Sequence, residues 1–218
     1  MIANRFRTFS VAAWTAALAG LLVAGPARAD AIDDQALAAY NALSEEMCFR
    51  QGLVEPEVYD LTYRDDYEGA TDTEYRFYKF YCGSGAYNRF DVFFSWTEYE
   101  GVQQIGFPVP TFDPNCRMGG FDNLDCMAVI DVTVTGMRSV NQIVNAVFDP
   151  ETLTLTENAC WRGVCDASSV GVWQFRNGAF VLVSFDIDPT YDGAIDLVRI
   201  VDYGPIDAGP ARPTKRTK

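Results

Sequence analysis

The chain has 218 residues, enough for one domain or two small ones, and a formal charge of −13. It contains no histidine, which excludes a Ser-His-Asp triad, a Cys-His nucleophile pair and the HExxH zinc site. So acidic a chain is repelled by a phosphate backbone, and nucleic acid is excluded as a partner class.

Arg5 and Arg7 precede an uncharged Ala-, Val- and Leu-rich run from Thr8 to Gly25, and Ala27-Arg28-Ala29 is a small-x-small cleavage site. Residues 1–29 are therefore predicted to be a cleavable signal peptide, with the exported chain starting at Asp30. An uncleaved membrane anchor is the competing reading of the apolar run. The Gly25-Pro26 break followed by the cleavage pattern favours removal. No later segment is apolar enough to span a bilayer. The leader holds three arginines and no acid, so a whole-chain charge of −13 becomes −16 after cleavage. The expected location is the periplasm or the extracellular medium.

Export gives the six cysteines a meaning. In an oxidising compartment an even count implies disulfides, and six cysteines allow 15 pairings. Pairing of near neighbours is expected: Cys116–Cys126, Cys160–Cys165 and, by default, Cys48–Cys82. A zinc–thiolate site would want CxxC clusters, and the sequence has none.

In chain order, residues 33–47 read as a helix. Asp33 is placed to cap it, and Ala36, Leu37, Tyr40, Leu43 and Met47 recur on one face. From Pro56 the period changes to two, with Tyr59, Leu61 and Tyr63 alternating against polar residues. A loop over 65–74 carries five acids. Tyr75–Cys82 is a dense aromatic strand. Phe90–Trp96 and Val102–Phe107 read as a hairpin around 98–101, ended by Pro108 and Pro110. Residues 111–126 read as loop. Ala128, Ile130, Val132 and Val134 alternate with polar residues as in a half-buried antiparallel strand. Residues 140–148 are ambiguous between strand and short helix, and strand character resumes at 153–156. Val170–Arg176 and Ala179–Phe185 flank Asn177-Gly178, the dipeptide that accepts the positive φ angles of a type I′ turn. Residues 197–202 read as a last strand. The segment 208–218 has four basic residues and no acid and is expected to be disordered. The predicted fold is all-β: antiparallel sheets built from hairpins, sandwich- or barrel-like, disulfide-braced, with one N-terminal α-helix. The β-rich domain is bounded at 30–207.

Two stretches carry a resemblance. One is Cys82-Gly-Ser-Gly-Ala-Tyr-Asn88. The other runs from Asp149-Pro-Glu-Thr152 through Trp161-Arg-Gly-Val-Cys-Asp-Ala-Ser-Ser169 and Gly171-Val-Trp173 to Asp188-Pro-Thr-Tyr-Asp-Gly193. Together, across roughly residues 75–203, they resemble a family of exported bacterial proteins, domain-of-unknown-function family 1176. The family pattern has glycine where this chain has Cys165 and a non-cysteine where it has Cys160, as an added local disulfide would give. The resemblance implies a periplasmic home and no particular activity.

Five candidate chemistries follow from the residues. Asp188, Thr190, Asp192 and Asp196 fall at positions 1, 3, 5 and 9 of a loop with Gly193 at position 6, an echo of the EF-hand calcium loop. Arg199 stands at position 12 in place of the bidentate Glu, and the competing reading is an Asp/Gly turn capping its own backbone. Arg162 with Asp166, Ser168 and Ser169 makes a compact group able to grip an anion or carboxylate; alternatively it is a loop braced by its own ion pair. With 30 acids some carboxylate pair is inevitable, and no spacing singles one out for glycosidase chemistry. Ser84 in Gly-Ser-Gly lacks the nucleophile-elbow pattern. Finally, the charge itself would steer the chain to a cationic partner. The functional expectation is a non-catalytic ligand- or protein-binding module without a cofactor, its partner a cationic envelope or extracellular protein. The alternatives are a carboxylate-based hydrolase and a calcium-dependent structural envelope protein.

Overall fold

In the computed structural model, residues 27–43, 47–49, 54–122, 125–204 and 214–215 are described. Among the described residues one helix, α1 (Ala27–Asn41), is followed by thirteen strands, all paired antiparallel. They are β1 (Glu57–Tyr63), β2 (Thr73–Ser84), β3 (Arg89–Thr97), β4 (Gly101–Gln104), β5 (Phe107–Gly119), β6 (Asp125–Val140) and β7 (Gln142–Val144). There follow β8 (Val147–Asp149), β9 (Thr154–Cys160), β10 (Ser168–Arg176), β11 (Ala179–Asp188), β12 (Val198–Asp202) and β13 (Thr214–Lys215). A six-stranded sheet has the order β13-β1-β2-β3-β4 with β7 on β3; a five-stranded sheet runs β12-β11-β10-β9-β8; β5 and β6 form a separate ribbon.

The two larger sheets share one core. Tyr59, Phe77 and Phe93 of the first meet Phe148, Leu155, Phe175, Phe180 and Leu182 of the second. Aromatic rings fill the gap: Phe77 stacks on Phe93 at 5.5 Å between centroids and meets Phe148 and Phe180 at 4.9 Å each. Such offset and edge contacts add to what area burial alone supplies. Strand β2 is buried on both faces because α1 covers the other side, where Ile32 and Ala36 pack on Val58, Tyr78, Phe80 and Val92. That double burial explains why residues 75–80 are buried without a break, where a half-exposed strand would alternate.

The turn at Asn177-Gly178 is as expected, with φ of 48° and 80°. All three disulfides pair as expected: Cys48–Cys82, Cys116–Cys126 and Cys160–Cys165, leaving no free cysteine.

Several local expectations are corrected. The helix spans 27–41 rather than 33–47, of which 44–46 lie outside the described residues; Ile32 and Ala36 are buried, and Leu37 and Met47 are exposed. Asp33 lies inside the helix rather than at its start and accepts hydrogen bonds from Tyr78 Oη (2.9 Å) and Arg76 Nη1 (3.2 Å) on β2. The segment 111–126 is not a loop: its first part completes β5 and its last residues open β6. Pro108, Pro110 and Pro114 sit within β5 without penalty, because a two-stranded ribbon asks only one edge of each strand to hydrogen-bond. Residues 140–148 resolve into the short strands β7 and β8. In the expected disordered tail, Thr214 and Lys215 pair with Asp60 and Tyr59. Most of the predicted leader lies outside the described residues; Ala27–Ala29 open α1. Among the described residues no helix is long and apolar enough to cross a membrane.

Candidate functional site

The two loops singled out by sequence meet in space. The Cys160–Cys165 disulfide closes the connection between β9 and β10, and the Cys165 amide donates to Arg162 O (3.0 Å) to tighten it. Arg162 grips Asp166 with two hydrogen bonds, one from Nε to Oδ1 at 2.6 Å and a shorter one from Nη2 to Oδ2. Asp166 is buried and also accepts the amides of Ala167 (3.0 Å) and Gly193 (2.9 Å). The Arg162 guanidinium, helped by those amides, holds the Asp166 carboxyl far below the usual carboxylate range. The other face of the guanidinium lies over the Tyr191 ring, 4.7 Å from its centroid. Arg162 and Asp166 are therefore occupied with each other and with the 188–196 loop, which is the bracing reading of this group. Ser169 is buried and accepts from Trp161 Nε1 (3.3 Å), while Ser168 stands opposite Asp188 in the β10–β11 register.

In the second loop Asp188 is fully buried. Its Oδ1 accepts from Thr190 N (2.9 Å) and Thr190 Oγ1 (2.6 Å), and its Oδ2 from Asp196 N (2.5 Å). Asp192 Oδ1 accepts from Ala194 N at 2.9 Å. The oxygens that matched a calcium pattern are turned onto the loop's own donors. Among the described residues no group of three or more His, Cys, Asp or Glu side chains is arranged to hold a metal. Ser84 ends β2 with its Oγ 2.8 Å from Tyr81 Oη.

The ribbon joins this junction. Tyr191 N donates to Cys126 O (2.9 Å), Phe112 of β5 stacks on Trp161 at 6.2 Å, and Trp173 Nε1 donates to Pro108 O (2.9 Å). The β5–β6 ribbon is thus fixed to the five-stranded sheet at both ends of its length.

Sequence reasoning missed the buried charges Lys79 and Asp91, which face the shared core and are met from its rim by Glu57 and Arg89. Lys79 Nζ donates to Ala146 O (2.6 Å) and Glu57 Oε1 (3.0 Å) and stands 3.7 Å from Asp91 Oδ2, while Arg89 Nε donates to Asp91 Oδ1 (2.8 Å). Burial pushes the Asp91 carboxyl upward despite these cations. Nearby on β9, Glu157 is 7 % exposed and accepts the Val144 amide at 3.3 Å. Burial pushes its carboxyl up to about 7, with that amide and Arg138 pulling the other way. One signal was readable: a lysine and an aspartate at inward-facing positions of aromatic strands, Phe-Tyr-Lys79-Phe and Phe-Asp91-Val-Phe.

The described residues line a groove of about 220 Å³ between α1 and β1, with Leu37, Val54 and Pro56 as apolar walls and Asp33, Asp34 and Glu55 among its lining. No family model matches the chain, no curated protein matches it, and no solved structure matches it.

Proposed function

We propose that this is an exported, non-catalytic protein-binding module that grips a cationic envelope or extracellular protein through the β5–β6 ribbon. One observation carries the reading. A two-stranded ribbon of 13 and 16 residues, about 40–50 Å long, is marginal on its own, yet here it is stapled by Cys116–Cys126 and presents apolar side chains to solvent. Met118, Phe121, Ile130 and Met137 are exposed, with Phe121 wholly so, and the exposed Asp113, Asp122 and Asp131 lie among them. Apolar anchors held rigidly in advance lower the ordering cost of binding, and surrounding carboxylates favour a basic partner. The three disulfides and the resemblance of residues 75–203 to exported proteins of domain-of-unknown-function family 1176 support a periplasmic or secreted home.

The test is retention from envelope extract on the immobilised chain at low and high salt, compared with a Phe121→Ser, Ile130→Ser variant of unchanged melting temperature. The wild type is expected to retain a basic protein at low salt only, and the variant to lose it. Equal retention by both, or none by either, refutes the proposal. A carboxylate-based hydrolase is favoured by a single observation, the raised Glu157 carboxyl, but Glu157 and Asp91 are both sealed from solvent. Turnover of a glycoside that Glu157→Gln abolishes would establish it.

A further inference from the structure

Strand β1 would be an edge of the six-stranded sheet but for two residues of the basic segment 208–218, Thr214 and Lys215, whose backbone adds β13 alongside it. An exposed edge is a template for another strand, and half of its amides and carbonyls need a partner. The pairing is antiparallel, with Lys215 opposite Tyr59 and Thr214 opposite Asp60. We propose that the β1 edge and the groove beside it form a strand-addition site whose occupant is this chain's own basic segment, docked through alternate cationic residues onto the acid-rimmed face under α1.

Three observations lead there independently. The first is the direction of pairing: carried on in the same register, residue 216 falls opposite Val58 and residue 218 opposite Pro56, and both Val58 and Pro56 line the groove. The second is period. Successive strand residues alternate faces, so in a segment that continued this pairing positions 212, 216 and 218 would share the face of Val58, which packs toward α1. Those positions are Arg212, Arg216 and Lys218. The third is charge: the groove they would reach is lined by the exposed Asp34 and Glu55 beside Asp33, which is already paired with Arg76, and its lining residues include no cation. Neutral or acidic occupants gain nothing from that rim, whereas a basic extended segment satisfies backbone edge and carboxylates together. Exposed Leu37 and Val54 offer the stems of long basic side chains an apolar bed. The inference does not need the ribbon to bind anything, so the two proposals fail separately.

Hydrogen exchange at β1 decides it. In the full chain, every second amide of residues 57–61 faces away from β2 and is expected to be protected by the docked segment. A chain lacking 208–218 is expected to lose that protection while the β2 and β3 amides keep theirs. A synthetic peptide of residues 208–218 is expected to restore it. The full-length variant Arg212→Gln, Arg216→Gln, Lys218→Gln, which keeps the backbone, is expected to exchange at least about threefold faster at those amides, and so is the wild type at high salt. The proposal is overturned if β1 exchange is the same with and without the segment or indifferent to the three substitutions. It is equally overturned if the protection depends on protein concentration, which would mean the segment comes from a second copy.

Discussion

Glu157 makes the chain's stability depend on pH in a direction opposite to that of most paired carboxylates. Its carboxyl is raised from 4.5 to about 7, chiefly by burial under β7. The folded state therefore binds a proton more tightly than the unfolded state does. Below about pH 4.5 both states hold the proton and the group costs nothing. As pH rises toward 7 the unfolded chain releases its proton first, and stability falls; above about 7 the whole penalty is present. The gap between 4.5 and about 7, at ~1.4 kcal/mol per tenfold in proton affinity, amounts to ~3 kcal/mol. Glu157→Gln keeps the shape and an oxygen for the Val144 amide but cannot ionise. It should match the wild type near pH 4.5 and exceed it by up to ~3 kcal/mol at pH 8, a rise in Tm of roughly 6–12 °C for a chain of this size. Urea unfolding of the two proteins across pH 4–9, disulfides intact, measures the difference directly. Parallel pH profiles, or a variant less stable than wild type at pH 8, would refute the reasoning. Arg138 supplies an internal control. It lowers the same carboxyl, so Arg138→Gln should steepen the wild-type loss between pH 4.5 and 8 and leave the Glu157→Gln background unchanged.

Removing the disulfides one pair at a time by Cys→Ser should rank them by sequence separation, 34 for Cys48–Cys82, 10 for Cys116–Cys126 and 5 for Cys160–Cys165. The expected losses are about 4, 3 and 2 kcal/mol in urea unfolding, and a reversed order would show that native contacts outweigh chain entropy here. Gly171→Ala should cost ~1–3 kcal/mol, because its new methyl would lie 2.3 Å from Cη2 of the fully buried Trp173 indole; wild-type stability in this variant would mean that the indole has room to move. Asp188→Ala strands the amides of Thr190 and Asp196 and should cost about 3 kcal/mol, while Asp192→Ala, which frees one exposed amide, should stay within ~1 kcal/mol. On the same grounds calcium should leave the wild-type Tm where it was, and a rise of several degrees in its presence would mean that the Asp188 oxygens turn to the ion.

What could be read in the sequence was whatever depends on near neighbours. The Asn177-Gly178 turn needs only two residues that accept positive φ, and the hairpin of β10 and β11 follows. The short-range disulfides follow from cysteines 5 and 10 residues apart. Asp33 was misread because an aspartate ahead of an apolar face has the local pattern of a cap, while its partners Arg76 and Tyr78 lie 43 and 45 residues away. The ribbon was hidden by Pro108, Pro110, Pro114 and Gly119-Gly120. These forbid a central strand but not an edge, and nothing local says which a strand will be. The Asp188 loop shows a deeper ambiguity. An aspartate aimed into a loop presents the same residue spacing whether it meets a cation or the loop's own amides, and only the positions of Thr190 N and Asp196 N separate the two.

The acidity of the chain therefore divides into two populations with different physical roles. Asp166, Asp188 and Asp91 lie in the interior, each held by donors or cations of the same chain, and they fix loops and strands in register. Removing the partner of such a buried carboxylate costs more than the pair contributes, so these sites specify one arrangement rather than add net stability. Asp113, Asp122 and Asp131 on the ribbon, and Asp34 and Glu55 beside the α1 groove, are exposed, and among the described residues they make no comparable internal network. The Asp166 junction connects the two populations. It ties Gly193 and Arg162 together, next to the Tyr191 amide that donates to Cys126 at the start of β6. A surface meant only for solubility would need no such fixing, since scattered charge dissolves a protein equally well on a mobile arm. On the proposed reading, the Cys116–Cys126 disulfide and the Arg162–Asp166 pair would lower the cost of presenting the ribbon to a partner of defined shape.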